Sequence, residues 1–88
     1  MLPLNFSNPS RSYDATRHAV HFWGYDTSIE VSFFVTDEAL RKLGLSRDSA
    51  ENECLQMFDA HCDKIHMAAA KVYKRGSKGS YELGPQNF

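Results

Sequence analysis

The chain has no marked charge excess, no long apolar run, few cysteines and no internal repeat. Its 10 lysines and arginines nearly balance 11 aspartates and glutamates, for a formal charge of −1. Strong non-specific nucleic-acid binding usually brings a basic excess, so electrostatics alone gives no such partner. No stretch approaches the roughly 20 consecutive apolar residues of a membrane-spanning helix. The opening residues MLPLNFSNPSRS offer no basic start, no apolar run of signal length and no small-residue cleavage site, so a secretory leader is not expected. Two cysteines are too few for a disulfide scaffold. Cys54 and Cys62 sit in a helix-forming segment, about 12 Å apart along the axis at ~1.5 Å per residue. A disulfide tolerates only about 7 Å between Cα atoms, so both are expected to be reduced, small core residues in a cytoplasmic protein.

What is present fits one globular domain over residues 1–88. An apolar fraction of 42% and a charged fraction of 24% argue against disorder. A domain this small buries a limited share of its surface and gains stability from any partner. The most regular stretch is HAVHFWGYDTSIEVSFF, His18 to Phe34, which alternates like a two-stranded hairpin. Gly24 suggests a loop centred on Tyr25-Asp26. That loop sets Phe22 opposite Ile29 and Val20 opposite Val31 on an apolar core face. The other face then pairs His21 with Glu30 and Arg17 with Phe34, and it also carries Trp23. A slip of one residue would invert every side chain, so the apolar face constrains the register.

Flanking segments follow local rules. Leu2, Leu4 and Phe6 read as an edge strand or an extended arm, followed by a turn at Asn8-Pro9-Ser10, and Asp14 offers an acceptor for a second turn. Thr36 is placed to cap a short helix whose first turn holds Asp37 and Glu38, and Gly44 ends it. Ser46 or Asp48 is expected to cap one long helix reaching about Arg75, with the apolar stripe Leu55, Phe58, Cys62, Ile65, Ala69 and Val72. Ser80-Tyr81-Glu82-Leu83 alternates again as a short strand. A meander followed by helices predicts a two-layer α+β domain: an antiparallel sheet of three to four strands with a short and a long helix on one face.

Five segments together carry a family likeness: YDATR at 13–17, VHFWGYD at 20–26, EVSFFVT at 30–36, AAKVYKRG at 69–76 and SYELG at 80–84. The chain resembles the domain of unknown function 1488 family of small bacterial proteins over nearly its whole length. The resemblance implies a small cytoplasmic α+β protein. It brings no activity, cofactor or catalytic residue.

Four constellations bear on function. Cys62 and His66 are spaced i, i+4, with His61 adjacent, as metal ligands on one helical face can be. With no CxxC, and with Cys62 in the middle of the apolar stripe, a core role explains them and no metal site is assigned. A Cys62 nucleophile would need exposure in an electropositive setting, whereas its place in the stripe predicts burial. The His21–Glu30 pair resembles an oriented base, but an ordinary cross-strand contact accounts for it. Without a nucleophile elbow, a phosphate-binding loop or paired carboxylates, no enzyme and no cofactor are expected. Lys71, Lys74, Arg75 and Lys78 beside Tyr73 and Tyr81 form a basic patch suited to phosphates with a ring for stacking. Trp23 and Phe34, rimmed by Arg17, His21 and Glu30, have the composition of a protein-binding hot spot, unless a chain terminus folds over them. The preferred reading is a non-enzymatic protein-binding or regulatory module, plausibly a homodimer through the outer sheet face. The alternative is a nucleic-acid-binding accessory protein.

Overall fold

The computed structural model describes residues 4–73 and 80–88. Its frame is a four-stranded sheet in the order β1-β2-β3-β4. β1 is Arg11–Asp14, β2 Ala19–Asp26, β3 Ile29–Thr36 and β4 Ser80–Leu83. The first three form an antiparallel meander, while β4 runs parallel to β3. The sheet is therefore mixed rather than wholly antiparallel, because the chain passes through the helical layer before returning to the edge of β3. Parallel neighbours require such a crossover.

The hairpin register differs from the expected one. Phe22 lies opposite Phe33, Val20 opposite Val35 and His21 opposite Phe34. The corner is Thr27-Ser28, with Thr27 in the left-handed region at φ 61°. Gly24 is inside β2, not at a turn. A Cβ there would stand 2.9 Å from Phe6 Cε1 and 3.1 Å from Phe33 Cε2, so glycine serves a close approach of two rings. The displacement is an even number of residues, so each side chain keeps the face that alternation assigns to it. The short turns agree with expectation: Asn8 Oδ1 accepts from Ser10 N at 2.9 Å, and Asp14 Oδ1 from Thr16 N at 3.0 Å. Among the described residues the N-terminal arm forms one isolated β-bridge to the sheet, Asn5 to Tyr25.

Helix α1 is Asp37–Lys42, capped by Thr36 Oγ1, which accepts from Ala39 N at 3.1 Å. Gly44, at φ 124°, follows its end. The expected long helix is two: α2 is Glu51–Ala60 and α3 is Cys62–Val72. The break falls at His61 (φ −120°, ψ 21°), whose N–H is shared between the carbonyls of Met57 and Phe58. Neither proline nor glycine marks it. The start of α2 is also later than expected: Glu53 reaches back to accept from Ala50 N at 2.9 Å, so the acid, not Ser46 or Asp48, organises the first turn.

The helices cover one sheet face. Val20, Phe22, Val31, Phe33, Val35 and Leu83 meet Ala39, Leu40, Phe58, Ile65 and Ala69 in the core. Phe6 joins that side, stacked on His66 with centroids 4.2 Å apart. Phe88 also packs against that side. A bidentate pair from Arg11 to Asp59, at 2.9 and 2.7 Å, ties β1 to α2. No helix among the described residues is long and apolar enough to cross a membrane.

Candidate functional site

The face turned away from the helices is built by alternation. Odd residues of β2 and even residues of β3 point outward, so one row across the sheet reads Ser12, His21, Phe34, Glu82. The His21 ring stacks on Phe34 with centroids 4.3 Å apart and lies 4.2 Å from Trp23. Arg17, in the turn between β1 and β2, brings its guanidinium carbon 4.1 Å from the Phe34 centroid. Arg17, Phe34, His21 and Trp23 thus form one contiguous group, as the sequence suggests. Among the described residues neither the N-terminal arm nor the C-terminal turn covers it: Phe6 and Phe88 pack on the helical side.

The members differ in exposure. Phe34 is only 6% exposed beneath Arg17 and His21, while Trp23 is half-buried. His21 Nε2 is buried with no hydrogen-bond partner among the described residues. Burial holds the His21 imidazole below its ordinary value, helped by Arg17 and opposed by Asp14 and Glu30. A neutral ring in an apolar stack, with its second nitrogen unused, is suited to contact rather than proton transfer.

Glu30 does not pair with His21. In the actual register it faces Tyr25, whose hydroxyl donates to Glu30 Oε2 at 2.9 Å. It stands at the opposite end of the face from Arg17, near the hairpin corner. The expected base–carboxylate pair therefore does not form, because Gly24 is not the turn. Of the basic patch, Lys71 is exposed in the last turn of α3, while Lys74, Arg75 and Lys78 lie outside the described residues. Tyr73 is drawn inward instead: its hydroxyl donates to the buried Asp26 carboxylate at 2.6 Å.

The cysteines separate. Cys54 is buried, and burial together with Asp37 pushes its thiol above its ordinary value. Cys62 is half-buried, not a core residue, because the helix break places it at the edge of a 310 Å³ cavity with Phe6, Phe58, Asp59 and His66. Both thiols are free. Among the described residues no three His, Cys, Asp or Glu side chains are grouped to hold a metal ion. Sequence reasoning missed a further cavity, where Lys42 of α1 comes beside Lys64 and Lys71 of α3. The spacing of Lys64, Met67 and Lys71 was the available signal.

Sheet order, parallel edge strand and one-sided helical layer define a small two-layer α+β domain whose outer face is aromatic. The family model described as a protein of unknown function (DUF1488) matches residues 4–83, and the chain belongs to that family. A crystal structure of a protein of unknown function from the same family, from Shewanella loihica PV-4, is similar with a TM-score of 0.81 and 15% identity. The match covers 94% of this chain and 93% of that one, and at this identity it shows the fold alone. No curated protein matches the chain.

Proposed function

We propose that this domain is a non-enzymatic binding module that pairs through its outer sheet face with a second copy of itself. The observation that carries the reading is the Arg17–Phe34–His21–Trp23 group, which no described element covers. Aromatic anchors ringed by polar groups are typical of binding hot spots. Charge favours self-association over an unrelated partner. Arg17 stands at one end of the face and Glu30 at the other. A two-fold axis running across the strands would place each Arg17 against the other copy's Glu30, which is the self-complementarity a two-fold interface needs. The two free thiols fit a reducing compartment, and we assign the module to the cytoplasm.

The experiment is sedimentation equilibrium from low to high micromolar concentration. Trp23→Glu should give a monomer that keeps its thermal transition. Arg17→Glu should weaken the dimer, and adding Glu30→Arg should restore it. Phe34 is not a fair probe, because at 6% exposure its removal damages the sheet itself. A wild-type monomer at high micromolar concentration, or a Trp23→Glu dimer of undiminished affinity, refutes the proposal.

A further inference from the structure

On the helical side, a 450 Å³ groove runs between the end of α1, the outer side of α3 and the C-terminal turn Pro85–Asn87. Lys42, Lys64 and Lys71 line it, and these are all the lysines among the described residues. No acidic side chain lines it. A chain of formal charge −1 therefore gathers three cations around a single concavity. Leu43, Met67 and Phe88 supply apolar lining. Met67 is 57% exposed, a large apolar side chain left open to solvent. Lys42 Nζ donates to the Pro85 carbonyl at 3.2 Å, which holds the C-terminal turn against α1.

Helix electrostatics accounts for part of this arrangement. Lys42 and Lys71 occupy the last turns of α1 and α3, where cations are favourable. Lys64 does not fit: it lies in the first turn of α3, where the helix dipole disfavours a positive charge. None of the three has an ion-pair partner among the described residues. Three lysines around an apolar cleft that no acidic side chain lines leave room for an anion carried on a hydrocarbon. The volume lies within the roughly 300–1,000 Å³ range of small-molecule sites.

We propose that this groove binds a single-chain anionic amphiphile, with its carboxylate or phosphate head among Lys42, Lys64 and Lys71 and its alkyl chain over Met67 and Phe88. The site lies on the layer opposite the proposed pairing face and is independent of it. The test is calorimetric titration of the whole protein with decanoate, decyl phosphate and decyltrimethylammonium, each below its micelle-forming concentration. Saturable one-to-one binding of either anion, with no binding of the cation, supports the site, and the stronger anion identifies the head group. Lys64→Gln should weaken that binding roughly fivefold, about the effect of one partly exposed ion pair, while Lys64→Arg should retain it. The triple Lys→Gln variant should lose it while keeping its thermal transition. Equal binding of cation and anions, unchanged affinity in the triple variant, or no saturable binding of either anion overturns the proposal.

Discussion

Replacing Gly24 by alanine adds one methyl group at the most crowded point of the sheet. That methyl would lie 2.9 Å from Phe6 Cε1 and 3.1 Å from Phe33 Cε2, inside the roughly 3.5–4.0 Å at which carbon atoms pack well. Phe33 has no room to retreat: it is fully buried, with Phe22 at 5.4 Å and Tyr81 at 5.6 Å between centroids. Phe6 must move instead, and its stacking on His66 is lost. Overpacking of this kind costs about 1–3 kcal/mol. Alanine returns about 0.5–1 kcal/mol by restricting the unfolded chain. The expected net loss is about 0–2.5 kcal/mol, centred near 1 kcal/mol, and each kcal/mol lowers Tm by about 4–8 °C in a domain of this size. Thermal and urea unfolding of Gly24→Ala, Phe6→Leu and the double variant measure it. The double variant should be more stable than the sum of the single losses predicts, because the displaced ring is gone. A Gly24→Ala protein more stable than wild type, or strictly additive effects in the double variant, refutes the close-approach reading of this glycine.

Three further outcomes follow from particular contacts. Tyr73→Phe removes a 2.6 Å hydrogen bond to a carboxylate that is 2% exposed, and should cost about 1.5–3 kcal/mol in urea unfolding; a loss indistinguishable from zero refutes the contact. In the native protein a thiol reagent such as dithiobis-nitrobenzoate should modify Cys62 rapidly, whereas Cys54 should react only on unfolding; a Cys62→Ser variant that retains the fast phase would show otherwise. His21 and His66 are both held below the ordinary imidazole value of about 6.5, chiefly by burial. Their contribution to stability is complete above about pH 6.5 and is lost as pH falls through their lower folded-state midpoints. Tm should therefore decline from about pH 7 to about pH 5, less steeply in His66→Gln, and a flat profile excludes the effect.

Alternation and local turn chemistry made much of the architecture legible. Phe22, Val20, Phe33 and Val31 share the core face because side chains alternate whatever the register. Thr36, Asp14 and Asn8 act within a few residues of themselves, so their roles need no tertiary knowledge. The hairpin pairing failed at Gly24, where one residue type serves both turns and close ring packing, and the His21–Glu30 pair failed with it. The direction of β4 was hidden because alternation is the same for parallel and antiparallel neighbours. The break at His61 was hidden because the apolar stripe continues through Phe58, Cys62 and Ile65 without interruption. Arg17, Phe34, His21 and Trp23 were legible as a group because they share parity or an adjoining turn. The lysine groove was not, because only the tertiary fold brings Lys42 of α1 and Lys64 of α3 to one cleft.

The parallel edge strand gives the fold an order of assembly. β1, β2 and β3 are joined by short turns and can pair early. β4 reaches β3 only after the chain between Thr36 and Ser80, with its three helices, has been wound back along the sheet. Ordering so long a connection delays a non-local pairing, so β4 is expected to dock after the meander has formed. The C-terminal turn follows β4 directly and forms one wall of the lysine groove. That wall stands on a seam, and the groove exists only while the seam is closed. A molecule lodged there would act as a latch on the last step of folding, slowing amide exchange in β4 while leaving the meander unchanged.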